Sequence, residues 1–167
     1  KDAFLRELPN LGVRVFAEKK VLAARHEPGR GFVLDIGAQA AEAVVCSDAV
    51  ILASGRFLGR GLRAERTRII EAVFDLPVYQ EPDRASWHRE ALFDPRGHPM
   101  HRAGVEIDDW FRPLAGSGRP AYDRIFAAGS ILAHQDWMRE KCGSGLAVAS
   151  AQAAVNAYLN LKRSSLQ

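Results

Sequence analysis

The run Cys142-Gly143-Ser144-Gly145 stands directly before an alanine-rich stretch that reads as a helix from residue 146 to about 163. Two glycines let backbone amides come close to a ligand, and a helix start leaves unpaired N–H groups and partial positive charge there. An anion or an electron-rich carbonyl edge suits such a corner. The same pattern also describes an ordinary glycine-rich cap, with Ser144 as N-cap. Cys142 reads as a small apolar filler rather than as a thiolate nucleophile. A second constellation pairs Ala53-Ser54-Gly55 with Ala127-Ala128-Gly129-Ser130, each after a short β-type run. Small residues at two strand ends let the chain pass against a flat cofactor, in the crevice where α/β sheets bind ligands. Each tripeptide alone is a weak signal; with the glycine-led helix they point to a cofactor site.

His88, His98, His101 and His134 carry no HExxH and no cysteine pair, so no metal centre is expected. His98 and His101 lie beside the turn formers Gly97 and Pro99, and imidazole titrates near neutral pH, so acid–base work is the chemistry they would supply. Glu106, Asp108 and Asp109 read as a turn between short strands. No GxSxG elbow marks a serine nucleophile. Arg56, Arg60, Arg63, Arg66 and Arg68 form a basic cluster that suits a solvated face, an anionic ligand or an acidic partner. Without interleaved aromatics it does not indicate nucleic acid.

Several elements must position these residues. A short helix is expected over residues 2–8, ended by Pro9. Runs at 12–16, 19–25 and 32–36, with a Pro28-Gly29-Arg30-Gly31 turn, suggest an antiparallel meander closed by 43–46. The apolar run 49–53 reads as a strand buried on both faces, as inside an α/β sheet. Residues 124–127 read as another short strand. Within the last helix Ala147, Ser150, Ala151 and Ala154 form a small-residue stripe fit for close approach to a sheet or cofactor. The proline-punctuated stretch 63–114 reads as loops and short strands covering a site, or as a surface insertion.

With 167 residues, 47% of them hydrophobic, the chain can bury a core without disulfides. Cys46 and Cys142 lack a metal-ligand spacing, which favours reduced thiols and a cytoplasmic setting. No run is long enough to span a bilayer and no leader is evident. The chain opens at Lys1 inside a helical pattern, as expected of a piece of a longer protein.

The stretches VILASGRFLGRGLRAER (residues 50–66), IIEAVFDLPVYQEPDRASWH (69–88), AGVEIDDWFRPL (103–114) and RIFAAGSILAHQDWMREKCGSGLAVASAQAA (124–154) resemble the B-subunit family of anaerobic glycerol-3-phosphate dehydrogenase, in its C-terminal portion. The last stretch is also similar to the flavin-binding end of the wider fumarate-reductase and glutathione-reductase-like superfamily. The resemblance implies an α/β, partial Rossmann-like flavoprotein fold of the FAD/NAD-binding superfamily, with an inserted antiparallel β-meander and a covering segment. Residues 1–62 would hold the end of the flavoprotein core, 63–120 the covering, substrate-side segment, and 121–167 the flavin-binding strand and helix.

The resemblance further implies FMN or FAD in the completed protein, held near Ser54, Gly55, Gly129, Ser130, Gly143, Ser144 and Gly145. His98 is the expected base for a substrate alcohol. Family members oxidise sn-glycerol 3-phosphate to glycerone phosphate and pass electrons toward quinone, with FAD-bearing and iron-sulfur subunits as partners at the cytoplasmic membrane. Three departures stand out. Arg56, Arg60 and Ala133-His134 replace family glycines, and their side chains would narrow the crevice or contact a phosphate. A GxGxxG with its following acidic residue is absent, so the pyrophosphate clamp is expected from a missing amino-terminal portion and the isolated chain is expected to hold flavin weakly or not at all. The alternative is a noncatalytic flavoprotein-like binding or assembly module.

Overall fold

The computed structural model describes residues 2–164. Helix α1 (Asp2–Glu7) runs into a 3-10 turn at Pro9–Leu11, which closes on Gly12 at φ 76° with its N–H bonded to the Pro9 carbonyl at 2.9 Å. The strand expected over residues 12–16 does not form. Gly12 ends that turn instead of opening a strand, and Val13 and Val15 remain exposed with no strand beside them.

The meander therefore has three strands, β1 (Lys20–Glu27), β2 (Gly31–Gly37) and β3 (Ala43–Ser47), antiparallel in that order. β2 is flanked on both sides, and Phe32, Val33 and Ile36 are its buried apolar side chains. Phe32 also anchors the meander to the rest of the chain, with its ring 5.9 Å from both Phe74 and Tyr122 in edgewise geometry.

β4 (Val50–Leu52) and β7 (Ile125–Ala127) form a parallel pair, with Val50 opposite Ile125 and Leu52 opposite Ala127. The Ala128 N–H bonds to the Leu52 carbonyl at 3.0 Å and so extends the ladder to the strand ends. Burial on both faces was expected of the 49–53 run, but it belongs to β7. All of β7 is buried, whereas Ile51 at the centre of β4 is 40% exposed. The reason is the company each strand keeps: Phe111 accepts a hydrogen bond from Ala127 along β7's outer edge, and no strand lies along the outer edge of β4 among the described residues.

β5 (Leu62–Ala64) and β6 (Ile69–Glu71) make a hairpin, and the boundary expected at 62–63 falls inside β5. The segment that follows contributes much of the core. Leu76, Trp87, Ala103 and Val105 pack with Leu52, Ile125 and Ile131. Each large apolar side chain buried there stabilises the fold by roughly 1.5–3 kcal/mol. Glu71, 1% exposed, makes this burial feasible: its carboxylate accepts from the amides of Val73 (2.8 Å) and Phe74 (2.7 Å), closing the turn that leads Leu76 inward.

α2 (Trp137–Glu140) is a single turn and α3 (Gly143–Ser164) is long. The face of α3 that meets β7 is made of small residues, Ser150, Ala154 and Ala157, packed on Phe126 and Ala128. The stripe expected from sequence is thus rotated: Ser150 and Ala154 turn inward, and Ala147 and Ala151 face outward beside exposed Val148, Val155 and Leu159. No helix among the described residues is long and apolar enough to cross a membrane.

Candidate functional site

The two small-residue runs meet at the C-terminal ends of β4 and β7. Gly55 (φ 71°) and Gly129 (φ 75°) both occupy the left-handed region, where a side chain would be strained. A Cβ placed on Gly55 would lie 3.5 Å from the Ser130 hydroxyl, so Ser54-Gly55 and Gly129-Ser130 are neighbours in space. The Ser54 hydroxyl oxygen is buried and has no hydrogen-bond partner. The loop after Gly55 folds back on itself so tightly that a Cβ on Gly59 would come within 2.6 Å of the Ser54 carbonyl oxygen, and one on Gly61 within 2.5 Å of the Ser54 hydroxyl.

Arg56 fixes this corner. It is 5% exposed, and its guanidinium donates to four carbonyls: Ser130 (2.5 Å), Leu132 (2.7 Å), Gln135 (3.1 Å) and His101. Burial pushes its pKa down to about 10, partly opposed by Asp136 and Glu140, so it stays charged at neutral pH. A crevice-narrowing or phosphate-contacting role was expected for this side chain. Its donors instead bind carbonyls, joining the loop after β4 to the loop after β7. Arg60 and His134, at two other positions where the family is expected to have glycine, adopt φ 61° and φ 70°. Both are backbone conformations that favour glycine. His134 is held by Glu106 at 2.8 Å and lies against the Tyr79 ring.

The start of α3 is tied to the strand ends through one hydroxyl. Ser150 accepts from the Gly129 N–H at 2.8 Å and donates to the Leu146 carbonyl at 2.5 Å. The sequence presented Ser150 only as a small residue; a serine in the middle of an alanine-rich helix is the signal that marks its polar role. From Ser150 the helix projects about 10 Å toward its start. Its first bond runs from the Leu146 N–H to the Cys142 carbonyl at 2.9 Å, which leaves the amides of Gly143, Ser144 and Gly145 ahead of the ladder. The helix therefore begins at Gly143, not Leu146, and Ser144 lies in its exposed first turn instead of serving as N-cap. A Cβ on Gly143 or Gly145 would meet nothing within 4 Å.

His98 lies in another loop, its ring 5.3 Å from that of His101, whose carbonyl accepts from Arg56. Its Nδ1 accepts from the Arg89 N–H at 3.1 Å and its Nε2 faces the Leu92 carbonyl at 2.9 Å, a pairing that fits the neutral tautomer with the proton on Nε2. Acid–base work by His98 requires release of one of these bonds. The ring stacks edgewise with His88 and His101. His101 sits 3.7 Å from the buried Asp136; burial lowers its pKa, Asp136 opposes that, and His98, Arg56 and His88 add to it.

Parallel strands ending in left-handed glycines beside a helix start define a partial Rossmann-like, cofactor-binding α/β domain. Residues 3–146 match the FAD binding domain family, and the chain belongs to that family. Over 117 residues it is 35% identical to the B subunit of anaerobic glycerol-3-phosphate dehydrogenase from Vibrio vulnificus, covering 70% of this chain and 26% of that relative. The corresponding Yersinia pestis protein is 36% identical over 102 residues, 61% of this chain and 23% of the relative. A probable B subunit of the same dehydrogenase from Halobacterium salinarum is 28% identical over 153 residues, 92% of this chain and 35% of the relative. The chain thus spans about a quarter to a third of the length of these relatives. No solved structure matches it.

The residues present fit a flavin. Ser54 offers a buried hydroxyl without a partner, Gly129 has open space where a side chain would stand, and the first amides of α3 face outward.

Proposed function

We propose that this chain is the C-terminal part of a flavin-dependent oxidoreductase subunit of the glycerol-3-phosphate dehydrogenase B type and forms one wall of its flavin crevice. The observation that carries this reading is the buried, partnerless Ser54 hydroxyl between two strand ends that turn through left-handed glycines. In the completed protein Ser54, Gly55, Gly129 and Ser130 would hold FMN or FAD. The free amides of Gly143, Ser144 and Gly145 would supply fixed donors that favour negative charge developing on it. When bound, the isoalloxazine supplies the hydride- or electron-accepting chemistry. His98 is the proposed base on the substrate side, acting once its bond to Leu92 or Arg89 is released.

The remainder of the protein supplies the pyrophosphate clamp and further sheet. Exposed Ile51 on β4, with Val148, Val155 and Leu159 on the outer face of α3, supports this, since an α/β sheet buries such surfaces. The parent serves oxidation of sn-glycerol 3-phosphate to glycerone phosphate, with FAD-bearing and iron-sulfur subunits as partners, on the cytoplasmic side of the membrane. Flavin content decides the reading. The full-length gene product should carry stoichiometric flavin and residues 1–167 expressed alone little or none. Stoichiometric flavin on the isolated chain would overturn the division of the site between two segments, and a colourless full-length protein would overturn the flavin assignment.

A further inference from the structure

Arg56 brings a charge to the strand ends as well as donors. Its four partners, the carbonyls of Ser130, Leu132, Gln135 and His101, are all uncharged, and no carboxylate pairs with it among the described residues. The guanidinium is 5% exposed, so water screens it little. Asp136, 2% exposed, is linked to it across His101, whose carbonyl accepts from Arg56 and whose Nδ1 stands 3.7 Å from the Asp136 carboxylate. That carboxylate has a separate task, accepting from the Arg139 N–H at 3.3 Å at the start of α2. Glu140 is exposed. The cation is therefore offset by acids at a distance and is not neutralised in contact.

This charge belongs to the crevice wall. Arg56 follows Ser54-Gly55 directly, and its Nε lies 2.5 Å from the carbonyl of Ser130. With Nε, Nη1 and Nη2 all engaged, the side chain cannot reorient without breaking several contacts, so its charge is fixed relative to the two strand ends. A fixed charge biases any bound group that changes its own charge. A flavin that takes up two electrons and one proton ends with one more negative charge than it began with, and a preorganised cation nearby favours that state. The donors of Arg56 account for its role as a lock, whereas the carbonyls it binds are satisfied by N–H groups whether or not those carry charge.

We propose, on the flavin reading given for this wall, that the fixed charge of Arg56 sets the reduction potential of the cofactor, holding it higher by stabilising the reduced, negatively charged ring. Spectroelectrochemical titration of the full-length protein, following the bound flavin alone, tests this. Arg56→Gln removes the charge and keeps an amide donor; at a fixed potential the ratio of reduced to oxidised flavin should fall about tenfold, a downward shift of about 30 mV for a two-electron couple. Asp136→Asn is nearly isosteric and can still accept from Arg139, but it removes the opposing charge and should move the potential upward. Arg56→Lys keeps the charge with fewer donors, so its potential should stay close to the parent's while its thermal unfolding midpoint drops. All three substitutions can cost stability, but lost packing gives no reason for the first two to shift the potential in opposite directions. Shifts of the same sign, an unmoved potential in Asp136→Asn, or a potential in Arg56→Lys as low as in Arg56→Gln would each overturn the proposal while leaving the flavin site intact. A parent protein without flavin would overturn the flavin reading itself, and this inference with it.

Discussion

At the ends of β4 and β7 the backbone is held from several directions, by the parallel ladder, by the back-folded glycine loop and by four carbonyl contacts to one guanidinium. The start of α3, the other side of the proposed crevice, is joined to those strand ends by the Ser150 hydroxyl and packs Leu146 on the core, while Gly143 and Gly145 stand open. One wall is therefore part of the fold's own stability, and the other is a surface the fold presents. Substitutions in the first should register as lost folding, and substitutions in the second as lost ligand.

The largest effect is expected from Arg56→Met. It removes the donor to the part-buried Ser130 and Gln135 carbonyls and one of two donors to the buried Leu132 carbonyl, the other being Gln135 Nε2, and should cost about 3 kcal/mol in urea unfolding. A loss below about 1 kcal/mol would contradict the contrast between the walls, since the strand ends would then stand without their lock. Gly104→Ala probes the same wall from behind. Its Cβ would come within 2.5 Å of the Ile131 carbonyl oxygen and 2.7 Å of the Ala133 nitrogen, both backbone, so a cost of about 2 kcal/mol is expected.

Acid should weaken this wall as well. His101 has a folded pKa below its ordinary value because of burial, with His98, Arg56 and His88 adding to the effect and Asp136 opposing it. The unfolded chain then binds the proton more readily, so stability is full above the ordinary histidine range and falls as pH drops through it toward the lower folded value. Unfolding midpoints measured from about pH 7.5 down to about pH 5, bounds that bracket the ordinary pKa, should fall more steeply for the parent than for His101→Asn. Parallel curves would rule out His101 as the source of the acid sensitivity.

The smallest folding effect is expected at the presented wall. Gly143 has no left-handed φ and no neighbour within reach, so Gly143→Val should change stability by less than about 0.5 kcal/mol. Flavin content of the full-length protein should nevertheless fall. Gly116, which is also open, is the matching control; Gly118 is not, because its φ of 75° would strain any side chain. Unchanged flavin content in Gly143→Val would remove the helix start from the site.

Local chemistry made much of this legible. Glycines and small residues at strand ends, the meander turn at Pro28–Gly31 and the alanine-rich helix all speak through neighbours in sequence, and the elements form close to where those residues predict. What was not legible depends on distant partners. Arg56 looked like an obstruction because its acceptors lie 74 to 79 residues away for Ser130, Leu132 and Gln135. Residues 12–16 alternate like a strand, but nothing among the described residues pairs with them as one. The run from Arg56 to Arg68 reads as one basic cluster, yet it is divided between a buried lock and exposed ion pairs.

The long span bridged by Arg56 also sets an order of events. Its acceptors and the β7 partner of β4 become available only after the intervening residues have been made and gathered, and closing so long a loop carries an entropic cost before any contact compensates it. The hairpin of β5 and β6, the Glu71 turn and the meander rest on near neighbours and can form first. Docking of the guanidinium is then a late event on the way to the native state, and loss of Arg56 should accelerate unfolding much more than it slows refolding.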